Sequence, residues 1–382
     1  MKKIVPCILS VLLLFCSCGD KSKTNGNSWR FISSYDLYES SKKGTFVITT
    51  LERLDFLDFT TMQESPVCDK PDCQHSNSST CQAFNKDNHP FIYKDKIYFF
   101  KITDRYKVKD DDSDNERYTM DTQLWQCGVN GSDEKKLAEF KGLICENYNK
   151  CILVGDKLYM TPVTTSFDKD NNELEPSTKL ISYDLANNKT EDMGELVKGY
   201  NSGATQEGLW DNKIILYISK CKENLPYMER VEKYAKENNV SKDEAMNKIN
   251  EQEYFDRSMM EYDLNSNSVN DCDLPQPLGI SEKYYFYNDG NDLMYMTQDG
   301  KKNKIKDITN TNGMKLYDNY AVITKDGGNM YLFNYDTQEV KKIKTKSGQV
   351  ISGIFGDEII LKDLNDIGNP SYLKESISEM EM

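Results

Sequence analysis

Short apolar runs separated by polar turns follow one another along most of the chain. The clearest example spans Cys151 to Met193. Its first two runs, Cys151 to Val154 and Lys157 to Met160, flank a Gly-Asp pair, which is typical of a tight β-hairpin. Leu180 to Tyr183 is a third run, and Lys189 to Met193 is a polar outer edge. The pattern predicts one complete four-stranded antiparallel sheet.

Two sequence elements of this unit recur along the chain. One is a polar turn followed by an apolar strand, and the other is an apolar strand that closes in Tyr-Asp before a turn. Repeats of roughly 40 to 50 residues with strands inside them are typical of propeller blades, because one such sheet must stack on neighbours to bury both faces. The first element occurs at 94–98, 155–159, 210–214, 317–320 and 356–359, and the second at Tyr183-Asp184, Tyr262-Asp263 and Tyr335-Asp336.

Counting these units predicts an all-β fold, a β-propeller of seven blades, with six or eight as alternatives. Seven applies if the N-terminal hairpin and the C-terminal sheet are separate blades, and six if they share one. An N-terminal strand is expected to pair with the C-terminal sheet, because ring closure removes exposed strand edges. The units are a hairpin over 45–59 and sheets near 90–140, 147–197, 206–274, 280–308, 315–345 and 350–374.

Residues 222–260 interrupt one predicted blade. Pro226 opens a run with apolar residues at helical spacing, and Asn239 ends it. Ser241 begins a capping box for a second helix that is expected to reach about Gln252. The prediction is a helical hairpin that either covers apolar blade surface, which is the favoured interpretation, or serves as a lid or docking surface.

The N-terminus has the features of a lipoprotein signal. Two lysines precede an apolar run, Ile4 to Phe15, which is too short to span a bilayer. Cys18 follows a small serine, as in the lipobox read by lipoprotein signal peptidase, whereas Cys16 follows a bulky phenylalanine. We therefore expect a lipid such as palmitate on Cys18, with secretion without an anchor as the alternative. The predicted segments are a signal peptide over 1–17, a flexible tether over 18–28 and the propeller domain over 29–382.

A cysteine-rich segment follows the first predicted hairpin. Cys68, Cys73, His75 and Cys81 have the spacing Cys-x4-Cys-x-His-x5-Cys. Three thiols and an imidazole could form a tetrahedral structural zinc site. Cysteines outside the cytoplasm also pair as disulfides, and a redox or catalytic thiol is a third interpretation. In each case we expect the segment to be a cross-linked polar loop without an apolar core of its own.

Here the chain resembles a group of uncharacterised β-propeller lipoproteins of anaerobic gut bacteria. The resemblance covers the lipobox, the repeats and a Cys-x-x-Pro-x-Cys-x-His-type segment after the first hairpin, present here as Cys68 to His75. The turn and strand signatures are also similar to those of TolB-type and low-density-lipoprotein-receptor-type propellers. The resemblance implies a lipid-anchored propeller at the outer side of the cytoplasmic membrane or at the cell surface. It implies no particular activity, because none is assigned to the group.

The remaining predicted-domain cysteines are interpreted as small buried apolar residues in strands. Two pairs could instead form disulfides, since Cys145 and Cys151 flank a turn, and Cys221 and Cys272 flank the helical insertion. Cys127 is the fifth of these cysteines and has no proposed partner.

Charge and motifs exclude several classes of function. The formal net charge of -14 and the lack of a basic stripe exclude nucleic acid as a partner. The chain has 2 histidines, His75 and His89, and neither lies in a nucleophile motif. We expect a noncatalytic module that binds a glycan, peptide or partner protein, without a cofactor other than the structural zinc considered above. A carboxylate-dependent glycan-active enzyme and an envelope scaffold are the alternatives.

Overall fold

A computed structural model describes most of the chain from residue 29 onward. The predicted signal peptide, Cys18 and the tether lie outside the described residues. The described ranges are 29–32, 38–41, 44–49, 53–76, 80–86, 88–109, 116–145, 150–164, 166, 174–249, 254–325, 329–365 and 371–380.

The described residues form 30 strands and two short helices, numbered here in chain order. The first strands are β1 Trp29–Ile32, β2 Tyr38–Ser41, β3 Gly44–Ile48, β4 Leu54–Asp58, β5 Gln63–Pro66, β6 Asn88–Tyr93, β7 Lys96–Lys109, β8 Glu116–Gly128, β9 Lys135–Phe140 and β10 Leu143–Ile144. Next come β11 Cys151–Val154, β12 Lys157–Met160, β13 Val163–Thr164, β14 Ser177–Asp184, β15 Lys189–Lys198, β16 Gly203–Trp210, β17 Lys213–Cys221, α1 Tyr227–Asn238 and α2 Lys242–Lys248. The last are β18 Phe255–Asp263, β19 Ser268–Asp271, β20 Pro277–Ile280, β21 Tyr284–Asp289, β22 Asp292–Thr297, β23 Lys302–Thr309, β24 Thr311–Leu316, β25 Tyr320–Lys325, β26 Met330–Asn334, β27 Val340–Ile343, β28 Gln349–Phe355, β29 Glu358–Asp363 and β30 Ser371–Ser376.

The strands assemble into successive antiparallel sheets, as the repeats predict. Six sheets have four strands or more, and the C-terminal sheet has three. In chain order they are β2-β3-β4-β5, β6-β7-β8-β9, a sheet built on β11-β12-β14-β15, then β16-β17-β18-β19, β20-β21-β22-β23, β24-β25-β26-β27 and β28-β29-β30. The prediction of an all-β propeller is confirmed. The arrangement agrees with the six-blade alternative, in which the first and last units share a blade, whereas the favoured count of seven treats the three-stranded sheet as a separate blade.

Apolar clusters lie between consecutive sheets and form the core. Each cluster takes one face from a sheet and the facing side of the next, as between the β20–β23 and β24–β27 sheets, where Phe286 and Phe333 meet. The clusters continue around to the start, because Ile360 and Tyr372 of the three-stranded sheet pack against Val47 and Leu57 of the first. Stacking of this kind buries both faces of every sheet, which no sheet could do alone.

The repeated Tyr-Asp pair has a structural role at the end of a strand. Tyr183 and Tyr262 are each 1% exposed, and each hydroxyl lies 3.1 Å from the side chain of an asparagine five residues later. The following aspartate accepts hydrogen bonds from two turn amides, as Asp184 does from the amides of residues 186 and 187 at 2.9 Å. In these two copies the motif therefore fixes a turn and fills the space between sheets, whereas at the third copy Asn334 accepts from the turn amides of residues 336 and 337.

The N-terminal strand does not pair where the sequence analysis places it. β1 pairs antiparallel with β11, from Trp29 opposite Val154 to Ile32 opposite Cys151, and so becomes the innermost strand of the third sheet. The expected pairing with the C-terminal sheet is wrong for the described strands. Only β10, a two-residue strand, precedes β11 in this unit, so the inner edge of β11 is open to β1.

The insertion between β17 and β18 contains both predicted helices. α1 ends at a left-handed Asn239, and the Ser241 hydroxyl caps the amide of Glu244 at 3.2 Å. α2 stops at Lys248 rather than near Gln252, and the insertion ends earlier than predicted because β18 starts at Phe255. Its apolar stripe packs between the two helices around Val231, so the interpretation that it covers blade surface is wrong. Neither described helix is long and apolar enough to cross a membrane.

Candidate functional site

A cavity of about 710 Å³ lies where the inner strands of the sheets converge. Its wall is formed by β1, β6, β16, β20, β24 and β28, which are the innermost strands of six different sheets. The volume is within the range of ligand sites that are built into protein scaffolds. The cavity is therefore axial and belongs to the ring as a whole rather than to one blade.

The cavity lining combines apolar and charged side chains. Ile280, Leu316 and Ile354 are examples of the apolar part, and Trp29 and Phe31 add two rings whose centroids are 5.2 Å apart. Of the described lining residues, the basic ones are Arg30, Lys150, Lys283 and Lys315, and the acidic ones are Glu207, Glu282 and Asp318. The cavity is thus locally more basic than the chain, which has 48 basic and 62 acidic residues.

Several contacts hold the charged groups in place. Arg30 donates to the carbonyl oxygen of Ile92 in the neighbouring sheet, and burial lowers the pKa of its guanidinium to about 10. Lys150 and Glu207 form an ion pair at 2.9 Å. Gln206 is fully buried and donates to the carbonyl oxygen of Lys150 at 3.1 Å, so it fixes the backbone that carries this lysine.

A glycine allows the inner strands to approach each other beside the cavity. Gly208 has φ 147°, at a bulge between β16 and β17. A Cβ there would lie 2.7 Å from the Cβ of Ile280 and 3.1 Å from the ring of Trp29. A side chain at this position would push β20 away from β16, because the Cβ of Ile280 is fixed to its backbone.

The Cys/His segment forms a second candidate site, outside the axis. The ligand atoms of Cys68, Cys73, His75 and Cys81 all lie within 4.8 Å of one another. His75 Nδ1 is 3.4 Å from Cys81 Sγ. Cys81 is buried and the other three are half-buried. The structure therefore brings together all four residues that the sequence analysis singles out.

The segment lies between the first two sheets. Val67 and Cys81 belong to the apolar cluster that joins Leu54 of the first sheet to Phe99 of the second. Cys68 Sγ lies 3.7 Å from the side-chain oxygen of Gln82. Since the described residues of the segment, 67–76 and 80–81, form neither helix nor strand, these side chains and turns fix their path.

A buried ion pair supports the histidine. Arg53 donates to both oxygens of Asp55, at 2.7 and 2.6 Å, and Asp55 is 1% exposed. The same guanidinium donates through Nη1 to the carbonyl oxygen of His75 at 3.0 Å. His75 has φ 51°, a left-handed conformation that side chains seldom adopt without such support.

Two thiols of the site differ in acidity. Burial by itself would raise the pKa of Cys68, but backbone hydrogen bonds at Lys70 and Gln82 outweigh it, and the net pKa is lowered. Burial raises the pKa of Cys81 to about 11.

The other described cysteines match the prediction of small apolar residues for the most part. Cys127, Cys145, Cys151 and Cys221 are buried, whereas Cys272 is half-buried. The sulfurs of Cys145 and Cys151 are 3.6 Å apart. No disulfide joins any of the eight cysteines in the described part of the chain.

Sequence reasoning did not find the axial cavity. The lining residues come from six sheets and share no local motif. One signal was present: Trp29 to Ile32, directly after the predicted tether, is an aromatic and apolar run that could have been interpreted as a strand.

Comparison with known proteins supports no family assignment. No known family model matches the chain. No curated protein matches it either. Three of the similar solved structures are an oligogalacturonate lyase from Vibrio parahaemolyticus, TolB from Acinetobacter baumannii and BamB from Moraxella catarrhalis. The lyase is 10% identical with a TM-score of 0.44, covering 93% of this chain and 92% of its own. TolB is 10% identical with a TM-score of 0.34, covering 79% and 63%. BamB is 9% identical with a TM-score of 0.33, covering 88% and 83%.

Proposed function

We propose that this chain is a noncatalytic binding module of the cell envelope that holds a ligand in its axial cavity. The proposed ring has seven blades when the three-stranded sheet is counted as one of them. The observation that supports the proposal most directly is the cavity of about 710 Å³ lined by the inner strands of six sheets. A cavity built on strands is held rigidly, so little ordering is required when a ligand binds.

The lining favours a peptide segment with apolar side chains and a carboxylate. Aliphatic residues such as Ile280, Leu316 and Ile354 form part of the wall, and they suit apolar side chains better than sugar hydroxyls, which would lose hydrogen bonds with water there. Arg30 lines the cavity, and a guanidinium can form charge-assisted hydrogen bonds with a ligand carboxylate. The ligand class is therefore an acidic-apolar peptide or the corresponding segment of a partner protein.

A pair of serine substitutions tests the cavity. Ser352 lines the cavity and Ser378 is exposed outside it. Ser352→Trp is expected to fill the cavity and weaken binding of acidic-apolar peptides from an arrayed library by roughly tenfold or more, equivalent to about 1.4 kcal/mol. Ser378→Trp should bind as the unchanged chain does.

A glycan array and a hydrolysis assay run on the same samples distinguish the alternatives. If the unchanged chain binds a glycan but no peptide, and Ser352→Trp abolishes that binding, the ligand is a glycan rather than a peptide. Glycan turnover that is lost in Glu207→Gln would contradict the noncatalytic assignment, since Glu207 is a carboxylate at the cavity wall.

The anchor is tested at the two neighbouring cysteines of the N-terminal segment. We propose that Cys18 carries the lipid and places the ring on the outer side of the cytoplasmic membrane or at the cell surface. In a bacterial host fed labelled palmitate, Cys18→Ser should lose the label and leave the membrane fraction, and Cys16→Ser should keep both. Label that persists in Cys18→Ser would contradict the assignment.

A further inference from the structure

We propose that Cys68, Cys73, His75 and Cys81 bind one structural zinc ion that clamps the connection between the first and second sheets. This inference does not depend on the proposed function, because the site lies between two blades and away from the residues that line the axial cavity.

The geometry of the four residues fits a tetrahedral ion. Zinc lies about 2.3 Å from a thiolate sulfur and about 2.0 Å from an imidazole nitrogen, so ligand atoms around it are roughly 3.5 to 3.8 Å apart. The pair His75 Nδ1 and Cys81 Sγ, at 3.4 Å, is close to this separation. Since no two of the four ligand atoms are more than 4.8 Å apart, the widest pairs need to close by only about 1 Å.

The composition of the cluster favours a metal over a disulfide. A disulfide uses two of the three sulfurs, and it would not account for the convergence of the third sulfur and the imidazole on the same point. Three thiolates and a neutral imidazole are a soft donor set that suits zinc.

The site is closed, and this indicates a structural role. Four protein ligands fill a tetrahedral zinc shell and leave no position for a substrate or an activated water. Cys68 and Cys73 precede His75 in the chain, and Cys81 follows it. An ion bound to all four would therefore fix the residues on both sides of His75. Arg53, next to the first sheet and paired with Asp55, donates to the carbonyl oxygen of His75. Cys81 packs in the apolar cluster with Phe99 of the second sheet. A zinc ion would therefore make the path between the two sheets rigid.

The metal content of the full chain tests the proposal. The chain is purified in detergent without chelators, and elemental analysis is expected to find about one zinc per chain. Replacement of zinc by Co²⁺ should give the sulfur-to-cobalt charge-transfer absorption of a tetrahedral thiolate site. Cys73→Ser should lose most of the metal and lower the melting temperature, and a chelator should lower the melting temperature of the unchanged chain.

Two variants keep the test decisive if Cys73→Ser fails to fold. His75→Cys supplies a fourth thiolate and should retain about one metal ion per chain, with a changed Co²⁺ spectrum. Cys272→Ser removes a half-buried cysteine outside the cluster and should retain the metal and the spectrum. A folded, unchanged chain that contains no metal and takes up no Co²⁺ after mild reduction would overturn the proposal. If alkylation and mass spectrometry then show two of the three cysteines joined before reduction, the segment is a disulfide staple instead.

Discussion

Phe286→Ala is expected to lower the free energy of unfolding by about 4 kcal/mol, the largest effect we predict for a single substitution. Phe286 is fully buried in β21. Its ring packs edge-to-face on Phe333 of the next sheet, with centroids 5.6 Å apart, and lies 6.4 Å from Tyr295. Alanine would leave a cavity between two blades that rigid rings on both sides cannot close. Urea unfolding followed by tryptophan fluorescence measures the change.

Two further substitutions show whether the loss comes from the space between the blades. Phe286→Leu should cost about 1 kcal/mol, because most of the volume is kept. Leu373→Ala, on a strand where the leucine is 41% exposed, should change stability little. If Phe286→Ala unfolds at the same urea concentration as Leu373→Ala, the aromatic cluster is not what holds these two sheets together.

Glu134→Gln is expected to destabilise the fold by about 3 kcal/mol at neutral pH. Lys86 is 1% exposed, and its ammonium lies 2.6 Å from the Glu134 carboxylate, which Lys101 also contacts. Removal of the negative charge leaves the buried ammonium without its ion-pair partner, which costs more than the pair contributes. The double variant Lys86→Met with Glu134→Gln should recover part of the loss, because it also removes the buried charge. Urea unfolding of the single and double variants measures both effects.

The same ion pair predicts how the effect depends on pH. Burial alone would raise the pKa of Glu134, but hydrogen bonds and charges from Lys101 and Lys86 outweigh it and lower the pKa. A carboxyl group whose pKa is lowered by folding contributes stability above its unfolded pKa, near 4.3, and loses it as the pH falls through the folded value. The difference between the unchanged chain and Glu134→Gln should therefore be constant at neutral pH and shrink below about pH 4.

Glu139 provides the matched control for this prediction. It lies on β9, close in sequence to Glu134, and pairs with Lys136 at 3.2 Å on the surface. Water screens such pairs, so Glu139→Gln should change stability far less than Glu134→Gln does. Equal effects of the two substitutions would show that the burial of Lys86 does not matter.

The local elements could be predicted because their signals are local. The Gly-Asp pair between two apolar runs favours a tight hairpin, and β11 and β12 lie where the sequence places them. A serine cap and a left-handed asparagine likewise set the start of α2 and the end of α1. The Cys/His segment was singled out for the same reason, since its four residues lie within fourteen positions.

Pairing across long distances could not be predicted in the same way. β1 joins β11, more than a hundred residues away, through backbone hydrogen bonds that any short strand could make. No residue in Trp29 to Ile32 specifies β11 as the strand with which β1 pairs. The choice depends on which sheet offers an open inner edge, and here β11 of the third sheet does.

The sequence by itself determined that this protein is built from repeated antiparallel sheets, with a helical hairpin in one of them and a Cys3His segment after the first. Those features follow from periodicity and turn chemistry over a few residues. Only the tertiary structure decided that β1 lines the axis, that six inner strands enclose a cavity, and that the four Cys/His ligand atoms converge within 4.8 Å. The reason is that each of these arrangements depends on the stacking of entire sheets, and stacking is set by the summed shape of buried faces rather than by any single stretch of sequence.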